Sequence, residues 1–286
     1  MQLTRREFMA VSTAAILGVG VDTVLHDSRD LAVEHVQVPL AHLPPAFDGV
    51  TIAQLSDFHY DRFNKHLVEK SVTITNNLKP DLIALTGDFV TARLGHKIPD
   101  RFIAVRDGQS CSQVLAKLRA PLGVFAVLGN HDHFTDPDMI TEALQATGIQ
   151  VLRNRSLPLE KEHNRLWVAG VGDVLGGDAN IFQALKGIPT DETTVLLAHE
   201  PDYADSVLNA KQRVDLQLSG HSHGGQIRLP FIGPPYLPRL ARKYVTGLRR
   251  LGPLTLYTNR GVGTIRVPVR LNCPPEITLF TLKSDA

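Results

Sequence analysis

The chain has 286 residues, of which 43% are hydrophobic and 21% charged, enough for one large domain or two small ones with a sizeable core and ordinary for a soluble globular protein. A formal net charge of +1 provides no basic footprint, so nucleic acid is not an expected partner. The two cysteines, Cys111 and Cys273, make no disulfide framework and fit no zinc-knuckle spacing; both read as free, structural thiols.

The chain opens MQLTRREFMAVSTAAILGVGVDTV, with Arg5 and Arg6 ahead of Phe8 and an apolar stretch that ends at Asp22. A charged region followed by a short hydrophobic one is the layout of an export signal. The Thr-Arg-Arg-x-Phe order resembles a twin-arginine signal, read by machinery that exports folded proteins. The stretch is shorter than the roughly 20 apolar residues that span a bilayer comfortably. No clean Ala-x-Ala cleavage site follows, so residues 1–21 are expected to be either a cleaved leader or a retained anchor, beside the plainer reading of an apolar helix with a basic start. The expected location is thus the periplasm or the outer face of the cytoplasmic membrane. Residues 22–49, punctuated by Pro39, Pro44 and Pro45, read as a linker and lead-in strand, and residues 50–286 as the folded domain.

From residue 50 a rhythm sets in. Short runs rich in Val, Ile and Leu occur at 50–56, 81–87, 123–129, 166–172, 194–199, 214–220, 254–259 and 276–282. Continuous apolar runs of this length are typical of strands buried on both faces. Helices are expected between several of them, over 66–78, 112–119, 137–148 and 202–209. Strands alternating with helices predict a layered α/β architecture.

Polar residues collect at the downstream ends of the predicted strands. SDFHY supplies Asp57 and His59, TGDF supplies Asp88, LGNHDH supplies Asn130, His131 and Asp132, AHEP supplies His199, and SGHSHGG supplies His221 and His223. Ligands in α/β sheets bind beyond the carboxyl ends of the strands, so these residues are expected to share one rim. Asp, Asn and His without thiolate suit Mn²⁺, Fe or Zn²⁺. The set is larger than the three protein ligands of a typical catalytic zinc site. Two ions sharing a carboxylate, with Asp88 as the bridge through its two oxygens, account for the number and suit in-line phosphoryl displacement by an activated water. Taken singly, Asp57 and Asp88 could be caps or turn formers and Asn130 a left-handed turn residue. His133 reads as structural or rim-facing.

The ordered set D-x-H, G-D, G-N-H-D, H, G-H-x-H resembles the calcineurin-like metallophosphoesterases. The resemblance implies a four-layer αββα sandwich of two mixed β-sheets flanked by helices. It implies one metal on Asp57, His59, Asp88 and His223 and another on Asp88, Asn130, His199 and His221. It also implies that His131 is a general acid that protonates the leaving group and that Asp132 orients it. The arginine pair and the C-terminal NRGVGTIRVPVRLNCPPEITLFTL further resemble the exported YkuE-like and YaeI-like phosphodiesterase branch.

Residues 228–251 contain Arg228, Arg239, Arg242, Lys243, Arg249 and Arg250 with Phe231, Tyr236 and Tyr244 and no acidic residue. They read either as a solvated loop or as a basic, partly apolar lip suited to an anionic membrane surface or a lipid-linked phosphate. Arg260 is a further candidate for substrate phosphate. The expected activity is cleavage of a cell-envelope or lipid-linked phosphodiester. The alternatives are UDP-2,3-diacylglucosamine pyrophosphatase activity in lipid A synthesis, which members of this branch perform, and a non-catalytic metal-binding scaffold.

Overall fold

The computed structural model describes residues 30–92 and 98–285, with side chains of 98–101 left aside. The export-signal reading of residues 1–21 lies outside the described residues. Among the described residues, twelve strands form two six-stranded sheets. The first has the order β1 (Ala32–Leu40), β12 (Glu276–Ser284), β2 (Thr51–Leu55), β3 (Leu82–Thr86), β4 (Val124–Val127), β5 (Gln150–Val151). The second runs β10 (Gly247–Leu251), β11 (Leu254–Thr258), β9 (Leu216–Ser219), β8 (Thr193–Leu197), β7 (Asn164–Gly170), β6 (Arg155–Lys161). β2 to β5 are parallel, as are β7, β8, β9 and β11, while β12, β6 and β10 run antiparallel to their inner neighbours.

The alternation of apolar faces explains the layering. β3 and β8 are buried at all five positions because each sheet is covered on both faces. Between the sheets, Ile52, Leu82, Phe125 and Val127 meet Val168, Val195, Leu197, Leu218 and Tyr257. Outside the first sheet lie α1 (Lys65–Leu78), α2 (Ile98–Leu115) and α4 (Pro137–Gln145), whose Val68, Val72, Leu115, Ile140 and Leu144 join Ile83 and Leu85. Outside the second lie α5 (Ile181–Ala184) and α6 (Ala204–Asn209). The result is the expected helix–sheet–sheet–helix sandwich.

The eight apolar runs all become strands, and the strands that were not foreseen are edges. β6 is RSLPLEK and β10 is GLRRL, each largely solvent-facing and therefore lacking an apolar run. β1, within the region read as linker and lead-in strand, pairs along all nine residues with β12 and is part of the sheet. The helix expected at 112–119 begins earlier, at Ile98, and ends at Leu115. α3 (Asn130–Thr135) starts inside a motif that carries no helical period. Cys111 and Cys273 are buried and free, as expected.

Candidate metal centre

The parallel strands put their carboxyl ends on one rim, and the pairing of β2 with β3 continues past both ends: the Asp57 amide donates to Gly87 O and the His59 amide to Asp88 O, each at 2.9 Å. The chain there bends away from ordinary strand geometry. Asp57, His59, Asp88, His221 and His223 all have positive φ, between 41° and 66°. Non-glycine residues in this region cost on the order of 1–3 kcal/mol each and persist where the surroundings impose them, commonly at functional sites. Two glycines make the close approach feasible. At Gly87 (φ +92°) an added Cβ would lie 2.6 Å from Gly129 N, and at Gly220 it would collide with Ser56 Oγ and Asp57 Oδ2.

Asp57, His59, Asp88, His199, His221 and His223 converge as the motifs predict. Ligand atoms of Asp57, His59 and His223 lie within 4.8 Å of one another, and so do those of Asp88, His199 and His221. Asp88 joins the groups through one oxygen: its Oδ2 is 3.5 Å from His59 Nε2 and 3.2 Å from His199 Nε2. Its Oδ1 is engaged separately, accepting the His131 amide at 2.9 Å. The sequence expectation gave each Asp88 oxygen an ion of its own; here the same oxygen is the one nearest both imidazoles. His59 Nε2 and His223 Nε2 point at each other across 3.1 Å, and His223 Nε2 is 3.3 Å from Asp57 Oδ1. Asp57 is held by the His221 amide, 3.0 Å from both carboxylate oxygens.

Second partners orient the imidazoles, as metal-ligating histidines require. His199 Nδ1 donates to Thr86 O at 2.6 Å and His221 Nε2 to Arg239 O at 2.9 Å, which turns His199 Nε2 and His221 Nδ1 toward the rim. His59 Nδ1 meets Thr91 Oγ1 at 3.0 Å. Asn130 Oδ1 and His223 Nδ1 are buried with no hydrogen-bond partner among the described residues. A buried oxygen without a donor, on the residue that precedes His131, fits a group that a cation would satisfy. The donor set, hard oxygens and imidazoles without thiolate, fits divalent metal.

Burial, foremost, lowers His221 and His223 to about 4 and holds His59 well below the usual histidine value, so these rings are neutral lone-pair donors at neutral pH. His199 behaves differently. Burial, foremost, would lower it, but Asp88, joined by Asp57 and Glu200, outweighs burial and keeps it well above the ordinary range. Burial would likewise raise Asp88, yet His199 and His131 hold it well below the usual carboxylate value.

His131 lies at the start of α3, its ring edge-on to His59 with centroids 4.9 Å apart. Its Nδ1 accepts the Ala92 amide at 3.0 Å, leaving Nε2 as the protonated nitrogen. Asp132 does not orient it. The Asp132 carboxylate faces away, accepting the Phe89, Val90 and Gly129 amides at 2.8, 3.1 and 2.9 Å. It splices the β3 loop to the α3 cap, because the side chain at the fourth residue of G-N-H-D points back over its own helix start. Burial and the Asp88 charge push it up to about 8 against those three donors. Arg260 is also corrected. Its guanidinium is committed to Glu34 and Glu276, each at 2.7 Å, and joins the C-terminal loop to β1 and β12. His133 packs on Phe134 and over Gly176, apart from the ligand groups.

The basic stretch divides. Arg239 stays beside the centre through His221, whereas Arg250 pairs with Thr255 on β11, toward the far end of a strand parallel to β9, and reaches Pro39 O. Sequence reading also missed a support. Arg270, fully buried, donates to the carbonyls of His223, Arg260, Gly261, Gly263 and Cys273 and so fixes the loop that carries His223. Nothing local in VPVRLN marks it, since its partners lie up to 47 residues away. Glu200, the buried residue after His199, accepts the Val174 amide at 3.4 Å; burial pushes it well up, and it was not foreseen either.

A two-sheet sandwich whose rim gathers buried Asp, Asn and His with oriented imidazoles defines a metal-dependent phosphoester hydrolase. Residues 50–225 match the model of the calcineurin-like phosphoesterase family, and the chain belongs to it. It is 34% identical over 294 residues to the uncharacterized metallophosphoesterase YkuE of Bacillus subtilis, covering 99% of both chains. It is 31% identical over 287 residues to the phosphodiesterase YaeI of Escherichia coli, covering 98% of this chain and 99% of that one. It is 27% identical over 292 residues to a transmembrane protein with metallophosphoesterase domain from Danio rerio, covering 98% of this chain and 63% of the relative. Among the described residues no helix is long and apolar enough to cross a membrane.

Proposed function

We propose that the protein is a two-metal phosphodiesterase of the cell envelope. The observation that carries the reading is the position of Asp88 Oδ2, shared between His59 Nε2 at 3.5 Å and His199 Nε2 at 3.2 Å. Asp57, His59, Asp88 and His223 would hold one ion and Asp88, Asn130, His199 and His221 the other. Mn²⁺, Fe or Zn²⁺ pairs supply Lewis acidity and acidify water toward neutral pH.

The side chains then have distinct tasks. Asp88 balances charge at the shared position. His131 has one ring nitrogen within 4.8 Å of ligand atoms of His59 and Asp88, where Nε2–H can hydrogen-bond the departing ester oxygen; passing it the proton calls for the doubly protonated ring, which gives up the Ala92 amide contact. Arg270 and the Thr86 and Arg239 carbonyls keep the ligands in place. The full ligand set together with His131 argues against a non-catalytic scaffold.

A lipid-linked phosphodiester is the substrate class we favour, supported by the basic and apolar residues beside the centre and by the twin-arginine order at Arg5 and Arg6, which suits an enzyme handed to the export machinery. The pyrophosphate of UDP-2,3-diacylglucosamine, which combines lipid, sugar and phosphate, is the second reading on the same lip. The test is hydrolysis of bis-p-nitrophenyl phosphate beside p-nitrophenyl phosphate by the full chain, stripped and reloaded with Mn²⁺, with Asp88→Ala as control. Diester cleavage absent from the control supports the reading. Monoester cleavage alone overturns the diester preference, and UDP-2,3-diacylglucosamine turnover exceeding that of phospholipids selects the second reading.

A further inference from the structure

Beside the metal centre the chain extends a tip that has no ordinary role in a soluble fold. Leu229 and Gly233 close it with two backbone hydrogen bonds of 2.9 Å, so that Pro230, Phe231 and Ile232 stand at its apex. Phe231 has φ +66° and is wholly exposed, and Ile232 is 75% exposed. Four consecutive apolar residues, Leu229 to Ile232, thus face solvent. Tyr236 and Val267 continue the surface at 55% and 45% exposure. Scattered exposed apolar residues need no explanation, but a contiguous tip with a strained aromatic at its apex does.

The surroundings are cationic. No Asp or Glu occurs between residues 221 and 275. Arg266 lies over the Tyr236 ring, 4.7 Å from its centroid. Arg228, at the root of the tip, donates to Gly224 O at 2.9 Å, and Arg239 follows Tyr236 by three residues. The root is tied to the site: Gly224 follows His223, and Arg239 O accepts from His221 Nε2. Apolar and aromatic residues ringed by arginine are suited to the headgroup region of a membrane, where buried apolar area and attraction to anionic lipid add.

We propose that Phe231 and Ile232 insert into an anionic lipid surface and seat the metal centre against it. The docking rests on the lipid-linked reading only for what the docked enzyme cleaves. The charge of the tip selects the occupant, because an anionic bilayer complements a segment that carries Arg228, Arg239 and Arg266 and no carboxylate of its own.

Phe231→Trp in the full chain provides the test, since the native protein has a single tryptophan, Trp167, whose signal is subtracted with wild-type protein. On vesicles of phosphatidylcholine with phosphatidylglycerol, emission from the introduced indole should shift to the blue and be quenched by brominated lipid. On phosphatidylcholine alone both effects should be much weaker. Phe231→Trp combined with Ile232→Ser should weaken the indole-reported binding by about tenfold or more, the size expected for withdrawing one large apolar side chain. Turnover of the soluble bis-p-nitrophenyl phosphate should persist in that double variant. Because the N-terminal stretch can itself adsorb, the decisive signal is local: a tip indole that stays unshifted and unquenched on vesicles carrying the protein overturns the proposal, as does an Ile232→Ser change in the Phe231→Trp chain that leaves indole insertion at the same lipid concentration. Insertion of the tip indole by a protein inactive on every phosphodiester upholds docking and removes the hydrolytic reading instead.

Discussion

The two ends of the same strands use aspartate in opposite ways. At the amino ends, Asp81 Oδ2 accepts both the amide and the hydroxyl of Thr51 at 2.8 and 2.7 Å, and Asp215 accepts the Thr194 amide at 2.8 Å with Arg213 on its other oxygen at 3.1 Å. Each carboxylate is satisfied by hydrogen-bond donors and each ties neighbouring strands. At the carboxyl ends, Asp57 and Asp88 face imidazole nitrogens, sit at positive φ and keep company with the orphaned oxygen of Asn130. Satisfied polar groups build stability; buried groups turned toward one another without enough donors are held for a ligand. Asp81 and Asp88 open and close the single stretch DLIALTGD, yet one belongs to the scaffold and the other to the chemistry.

Substitutions at those two positions sharpen the contrast most. Asp88→Asn keeps a residue that tolerates positive φ, so the fold should persist while turnover of a diester falls at least about 10³-fold, at the upper end of losses seen when a charge-stabilising group is removed. Circular dichroism with steady-state kinetics checks both halves. His131→Ala should lower kcat by about 10²–10⁴-fold, the usual range for a proton-transfer group, with metal content unchanged by elemental analysis.

Metal binding should also distinguish the histidines by pH. His221 and His223, at about 4, carry no proton at pH 7 and release none. His199, held protonated by Asp88 with its ring nitrogens facing Thr86 O and Asp88 Oδ2, must lose one before Nε2 can bind an ion. Calorimetric titration of the stripped protein in buffers of different ionisation enthalpy should therefore report at least one proton released per loaded centre at pH 7, with any excess over the His199 proton coming from metal-bound water and affinity rising as pH rises through the His199 value. The smallest effect belongs to the scaffold end. Asp81→Ala should cost about 1–3 kcal/mol of unfolding free energy by denaturant titration, from amide and hydroxyl donors left unpaired, with kcat intact. Lost turnover in a fully folded Asp81→Ala protein would erase the distinction between the two ends.

The ligands were legible because each follows a buried strand, and a largely apolar run such as LIALT announces where its polar end begins. The edge strands β6 and β10 were hidden by the same logic, since RSLPLEK and GLRRL face water. Asp132 and Arg260 were misread because residue type gives no direction: one carboxylate turns back onto the Gly129 amide at its own helix start and the Phe89 and Val90 amides of the loop after β3, and one guanidinium is taken by Glu34 and Glu276 from distant strands. Arg270 left no trace, as its partners are carbonyls that exist only once the loops meet.

The central claim is that Asp88 joins two metal positions through one oxygen. Anomalous diffraction from crystals of the Mn²⁺-loaded protein tests it directly. The account predicts two peaks flanking Asp88 Oδ2, one against Asp57, His59 and His223 and one against Asn130, His199 and His221, separated by about 3.5–4 Å. A single peak, or a second ion held by each Asp88 oxygen separately, would contradict it.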